Sequence, residues 1–386
     1  MALLLLTGYG EATARRAHTI EYHNGDRYTG PTRKGIPNGR GIYHYHNGDC
    51  YTGYMLRGRP HGTGTYQYAN GDRYEGEWIR GIRSGMGTMT YADGNCYEGL
   101  WTNNLCSGYG SLRLANGGCY TGHFADGHFE GEGTFVYANG DQFEGSYVNG
   151  RQEGWGTYTY AAGNRYEGDW KKGAKEGRGT MTYIDGSRYT GQWKNDEMEG
   201  LGIMTNAEGD RYEGEFAHGL FNGTGVYYWK DGRWFIGPWH DGVRHGVGTM
   251  YLWRIEGVTI RQGYYDGDNF IRQSERTLYL AEGTRTDIYR HGTYSGQHSQ
   301  RQKRQGEGAC TLPNGSTYEG RWILNQRNGR GTERLADGTT YEGLWKDGLR
   351  EGLFTVTDNH GNTHLQWYER GRLIDSRVVK IANSDS

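Results

Sequence analysis

The chain has 386 residues, of which 69 are Gly, 5 are Pro and 54 are aromatic (12 Trp, 33 Tyr, 9 Phe). That much Gly with so little Pro excludes collagen, and that many aromatics exclude a disordered linker. A net charge of −2 gives no whole-chain field to attract nucleic acid, and five cysteines are too few and too uneven for a secreted disulfide framework.

Read in chain order, the opening apolar run at residues 2–6 is shorter than the roughly 7–15 residues of a signal core or the about 20 of a membrane span. The expectation is a soluble, reduced, cytoplasmic protein. From residue 28 a period of 23 dominates: Tyr28, Tyr51, Tyr74, Tyr97, Tyr120, Phe143, Tyr166, Tyr189, Tyr212 and Phe235 follow one another at that spacing without an insertion. Taking this aromatic as position 1, Gly fills positions 3, 12 and 14 in all ten repeats. Position 5 is aromatic in eight, from Trp78 and Trp101 to Trp239, and is Thr32 and Met55 in the first two.

Two stretches of each repeat alternate with period two, as strands do: Tyr74-Glu75-Gly76-Glu77-Trp78 is one, and the run from Gly62 to Tyr68 is the other. An Asn-Gly or Asp-Gly pair separates them in seven of the ten repeats. A two-residue hairpin there would place position 16, which is apolar or Tyr, on the face of Glu and Thr. A three-residue loop with a left-handed Gly at position 21 instead pairs 16 with 1, 14 with 3 and 12 with 5. All apolar positions then share one face, so that register is predicted. Position 8 is Gly except at Asn104 and Asp196, with Asn325 in the equivalent place later. A left-handed backbone is predicted there, because Asn and Asp tolerate positive φ best after Gly. Gly at 3 and 14 is expected to leave slots for rings, and Gly at 12 to face position 5. The outer face, as at Arg73, Glu75 and Glu77, reads as a solvated mixed-charge surface.

Phase is lost between about Arg254 and Thr293, where Gly263 and Tyr265 only echo positions 3 and 5. It returns at Tyr294, Tyr318 and Tyr341, and a half-repeat at His364, Tyr368 and Gly371 fades into a polar tail. The organisation expected is an N-terminal cap and degenerate repeat at 1–27, ten contiguous repeats at 28–257, an irregular insertion or degenerate repeat at 258–293, three repeats and a half at 294–371, and a tail at 372–386. The fold class expected is all-β: an elongated, twisted, single-layer antiparallel meander of about thirteen repeats, whose stability is nearly additive over neighbours.

These residues resemble the MORN family (membrane occupation and recognition nexus). Its Tyr-x-Gly-x-Trp-x-x-Gly pattern followed by Gly-x-Gly is met by Tyr74, Gly76, Trp78, Gly81, Gly85 and Gly87, and again by Tyr166, Gly168, Trp170, Gly173, Gly177 and Gly179. The resemblance implies a non-enzymatic scaffold or adaptor that binds other proteins, in the cytoskeleton or a cilium or flagellum. Its alternative is a membrane tether or phosphoinositide binder. Catalytic members of that family carry a separate domain, and none is expected here.

Gly-x-Gly recurs, but position 17 is never Gly and no helix follows, so a dinucleotide fingerprint fails. Carboxylates sit on the solvated face, away from acid–base geometry. Cys50, Cys96 and Cys119 share position 23, yet adjacent repeats stand about 9.6 Å apart at two strands each, too far for a disulfide or one zinc. No cofactor, metal or catalytic residue is assigned, and no nucleic-acid partner is expected. Partner-binding candidates lie in two places. One is the aromatic face, represented by Tyr74, Trp78, Tyr97 and Trp101, whose rings either meet a partner or cover one another. The other is an aromatic patch on the opposite, outer face: Tyr228 and Tyr251 at position 17, Trp234 at position 23, and Trp253 nearby. It is either a docking spot or a surface over which residues 254–293 fold back. Arg301, Lys303 and Arg304 form a short basic cluster that either touches an acidic partner or is simply solvated. A meander has open ends, so self-association through them is also expected.

Overall fold

The computed structural model describes residues 18–254, 257–289 and 292–380. The opening apolar run and most of the expected N-terminal cap lie outside the described residues. Every regular element described is a strand. The chain forms two compact units, residues 1–163 with 170–173 and residues 164–169 with 174–386.

In the first unit, strands follow one another as antiparallel neighbours in the predicted register. Tyr66 pairs with Tyr74, Gly64 with Gly76 and Gly62 with Trp78. The connection is the three-residue loop: Tyr68 N donates to Asp72 O at 2.9 Å, Gly71 N donates to Tyr68 O at 3.0 Å, and Gly71 has φ +99°. At the opposite edge, the strands Arg73–Ile79 and Ile82–Thr90 are joined by a two-residue turn in which both central residues have positive φ, 54° at Arg80 and 89° at Gly81. This is the hairpin geometry that matches strand twist. The left-handed position 8 is as predicted. Position 7 shares the conformation without being Gly, as at Arg80, Asn103 and Lys172. Gly85, at position 12, does more than face a ring. It has φ +81° at a bulge where the pairing steps from Gly76↔Gly87 to Trp78↔Arg83.

The ring slots are filled by the position 1 aromatic folding back over its own repeat. A Cβ on Gly76 would lie 2.6 Å from Tyr74 Oη, and one on Gly87 only 2.3 Å away. Tyr74 Oη donates to Glu77 O at 3.1 Å, which pins the ring. The ring meets Trp78 and Trp101 edge-on, with centroids 5.1 and 5.2 Å away. Each such pair contributes about 0.5–1.5 kcal/mol beyond area burial.

Where position 22 is Asp and the following position 16 is Tyr, a second device ties one loop to the next. The Asp at position 22 accepts from the position 19 N–H and the position 16 Tyr hydroxyl of the following repeat: Asp49 takes Ala69 N and Tyr66 Oη, both at 2.8 Å. Asp141 does the same with Ala161 N and Tyr158 Oη.

The second unit repeats this construction. Tyr212 and Phe216 sit over and beside Gly214 and Gly225 just as Tyr74 and Trp78 sit at theirs. Where the repeat phase is lost, the described residues 257–289 still form strands. Gly257–Asp266 pairs with the first part of a long strand, Asn269–Tyr289, and the second part of that strand pairs with Gly292–Ser299. The expected polar tail begins as a strand, Arg372–Lys380, paired with Thr363–Glu369. In this unit the meander also stacks on itself. Ile323 and Leu344, from the last repeats, pack in one buried cluster with Val226, Trp234, Ile236, Tyr251, Val258 and Ile260. The two layers meet through their outer faces, because both carry apolar residues where other repeats carry Thr, Glu and Arg.

Candidate partner-binding surfaces

The aromatic face is built by positions 1 and 5 and closed by position 10. Tyr74, Trp78, Tyr97 and Trp101 are all buried. Trp101 at position 5 stands edge-on between the position 1 rings of Tyr74 and Tyr97, and its indole N–H donates to a main-chain carbonyl, Gly87 O, at 3.1 Å. The indoles of Trp78, Trp170, Trp193 and Trp239 donate to main-chain carbonyls in the same way. Position 10 lies over these rings as a lid. Arg83 places Cζ 4.5 Å from the Trp101 centroid. Arg304 and Arg327 do likewise over Trp322 and Trp345, and Lys175 sits over Trp193. Where position 10 is aromatic it stacks flat: Phe129 on Tyr120 and Phe221 on Tyr212, each at 3.8 Å. A cation over a ring or a stacked ring each cover π-surface that would otherwise face water. Of the two readings of this face, the rings cover one another. A partner laid on it would touch lids and ring edges.

Position 8 has a role besides its φ. Where it is Asn or Asp, its side chain accepts the main-chain N–H of a cationic position 10 in the repeat before. Arg83 N donates to Asn104 Oδ1 at 2.8 Å, Lys175 N to Asp196 at 3.0 Å, Arg244 N to Asp268 at 3.2 Å and Arg304 N to Asn325 at 2.7 Å. The lids and this pairing escaped the sequence reading. The available signal was the coincidence of a non-Gly residue at position 8 with Lys or Arg 21 residues earlier, as at Arg83 and Asn104.

The outer patch of Tyr228, Trp234, Tyr251 and Trp253 is brought together as expected but is not a free face. Trp234 stacks on Tyr251 at 3.7 Å and is 1% exposed. Arg330 lies over Tyr228 at 5.7 Å and Arg321 over Trp253 at 4.6 Å, while Arg321 Nη1 also donates to Gly232 O at 3.0 Å. Among the described residues the cover is supplied by the last repeats, around Ile323 and Leu344. Val258 and Ile260, from the segment expected to fold back, extend the floor on which these side chains pack. The same cover buries Glu213, so this strand carboxylate is not solvated as expected. Burial, with Glu213 beside it, pushes the Tyr228 hydroxyl well above its usual range. A cleft of about 670 Å³ opens at the rim of this contact, between Arg211, Tyr228, Trp229, Arg321 and Arg330. Its arginines pair with Glu213, Glu307 and Glu342, so they do not form an open anion site.

The basic cluster divides. Arg301 and Lys303 are exposed on a turn closed by Ser299 and Lys303, while Arg304 points into the sheet as a lid over Tyr294 and Trp322. All five cysteines are free thiols; burial pushes Cys106 up to about 11, which leaves it protonated and unreactive at neutral pH. Among the described residues no helix is long and apolar enough to cross a membrane.

The family model for the MORN repeat matches thirteen segments, which run without a gap over residues 33–232 and continue at 235–252, 303–317, 318–340 and 341–353. No curated protein matches the chain. Solved structures with some likeness include the TCP domain of Drosophila melanogaster SAS-4 in complex with a proline-rich motif of Ana2. It has 15% identity and a TM-score of 0.27, and the match covers 50% of this chain and 99% of that one. A catalytically inactive virginiamycin B lyase from Staphylococcus aureus has 11% identity and a TM-score of 0.13, over 86% and 96% of the two chains. A streptogramin B lyase has 11% identity and a TM-score of 0.10, over 89% and 95%. Likenesses this slight bear on nothing beyond themselves.

Proposed function

Since this chain belongs to the MORN-repeat family, we propose that it is a non-enzymatic scaffold that binds other proteins, working in the cytoskeleton or a cilium. The observation that carries this reading is the contrast between the two faces of the first unit. The inner rows repeat an aromatic at position 1 and glycines at positions 3, 12 and 14 in every repeat. On the outer face, the row formed by positions 13 and 4 changes at each strand: Arg40, Tyr54, Thr63, Glu77, Met86, Leu100, Tyr109, His123, Glu132 and Ser146. A constant frame that displays a variable row of side chains suits recognition of an extended protein surface. It offers no convergent set of polar groups for chemistry. Arg301 and Lys303, exposed on one turn, support a second reading as an anionic-lipid contact. Two charges contribute only about 1 kcal/mol each at such a surface, so the scaffold reading is preferred.

Localisation of a tagged full-length chain with detergent extraction tests the proposal. Retention in the insoluble cytoskeletal fraction is expected. Complete release by detergent, together with flotation on anionic vesicles at about 0.15 M salt, would favour the membrane reading instead.

A further inference from the structure

We infer that the outer face of repeats three and four is an interface with a second copy of this chain. Six large apolar side chains stand exposed there on four successive strands: Ile79, Ile82, Met86, Leu100, Leu105 and Tyr109. Four of them are paired across neighbouring strands. Ile79 is the register partner of Ile82, and Met86 is that of Leu100. Leu100 leans towards the next strand, since a Cβ on Gly108 would meet its Cδ1 at 2.8 Å. Exposed apolar patches of this kind mark interaction sites.

The chain itself indicates what covers such a patch. In the second unit, position 4 is apolar at Leu344 and position 6 at Ile323, and they are 0% and 5% exposed because the outer face of another stretch of the meander lies on them. The same two positions in repeats three and four are Leu100 and Ile79, and they are 40% and 53% exposed. Position 13 behaves alike: Leu353 is buried, whereas Met86 and Tyr109 are exposed. Outer face against outer face is therefore a contact these repeats are shaped to make. Within the first unit no layer occupies it among the described residues. The occupant is the same face of a second molecule, related by a twofold axis. An apolar centre is self-complementary under such an axis. The flanking ion pairs Arg73–Glu75 and Arg113–Glu98 present both signs, which can exchange partners across it. This contact takes up Met86, Leu100 and Tyr109 of the variable row, but its test reads the association of the purified chain with itself and needs no other protein; it uses a face rather than the open sheet ends.

Sedimentation of the full chain over a range of concentrations tests the inference. A monomer–dimer equilibrium is expected. The variant Met86→Thr with Leu100→Glu installs the residues that hold the same positions as Thr63 and Glu77 in neighbouring repeats, so the fold tolerates it. It should weaken dimerisation on the order of 100-fold, as loss of central apolar contacts does. Tyr109→Glu, which copies Glu132, provides a second and separate disruption. Trp155→Thr, exposed outside the patch, should leave the equilibrium unchanged. A wild-type chain that is monomeric throughout overturns the inference. So does a dimer that survives both patch variants, because it must then form elsewhere.

Discussion

Replacing Gly87 by Ala should be one of the costliest single-methyl changes available in this chain. The new Cβ would lie 2.3 Å from Tyr74 Oη and 2.6 Å from Cε2 and Cζ, against the roughly 3.5–4.0 Å of a favourable contact. The ring has no free direction in which to move, with Trp78 and Trp101 edge-on to it and Arg83 above. Relief of the clash gives up the bond to Glu77 O, worth about 1 kcal/mol, and loosens two ring pairs at about 0.5–1.5 kcal/mol each. A net loss of about 3 kcal/mol is expected, within the span measured for overpacked cores. Gly150→Ala is the control, because nothing lies within 4 Å of its Cβ and only its φ of +79° is strained, which costs about 1 kcal/mol. Repeat arrays open locally, so amide hydrogen exchange is the assay. Amides of Arg73–Ile79 and Ile82–Thr90 should exchange roughly 100-fold faster in Gly87→Ala. Gly150→Ala should change exchange only around its own turn, by about 5-fold. If Gly87→Ala stays within about 3-fold of wild type, or if the two variants are equivalent, the ring-slot account is wrong.

Asn104→Gly, although it restores the commonest residue at that position, should destabilise by about 1 kcal/mol, because Arg83 N loses its acceptor; a raised or unchanged denaturation midpoint would contradict this. Trp234→Ala should cost about 3–5 kcal/mol and should deprotect the amides of Thr317–Ile323 and Thr340–Lys346 in the facing layer; deprotection confined to its own strand would mean the layers are not coupled. The position 22 aspartates predict an acid limb. Burial alone would raise the Asp26 carboxyl, but hydrogen bonds from His46, Asn24 and Tyr43 outweigh it and hold the group at about 2; the Ala69 N–H, Tyr66 and Asn47 lower Asp49 in the same way. Folded values below the unfolded value of about 3.9 mean that this stabilisation is full above that pH and is lost as pH falls towards about 2. Asp26→Asn should flatten that limb in unfolding curves taken from about pH 5 downwards, and an unaltered slope would rule the ladder out as its source.

The register was legible because only one pairing puts Tyr66, Tyr74 and Trp78 on the same face, and the three-residue loop followed from it. The left-handed position 8 was legible from Asn104, Asp196 and Asn325. The lids were not, because the cations Arg83 and Lys175 and the ring of Phe129 have no chemistry in common; they share only the task of covering a ring. The aspartate ladder was hidden by distance: the Asp49 bond to Asn47 lies within its own loop and is local, whereas its acceptance from Ala69 N reaches 20 residues along the chain. The outer aromatic patch was found in sequence, but its cover was not. Ile323 and Leu344 lie beyond a stretch whose phase is lost, and nothing in the local pattern says that they return to Trp234.

The bonds from Arg83 to Asn104 and from Lys175 to Asp196 have a bearing on how such an array can be edited. Each joins residues in different repeats, so the unit that can be excised or duplicated cleanly does not begin at the position 1 aromatic. Removing residues 97–119 would keep the remaining strands and rings in phase, yet it would set Arg83 against Gly127, which has no side chain to accept its N–H. A cut made just after position 8, so that each block starts with the lid and ends with the turn that receives it, leaves these pairs free to be matched again. Grafts and consensus designs drawn from this chain should take their boundaries there.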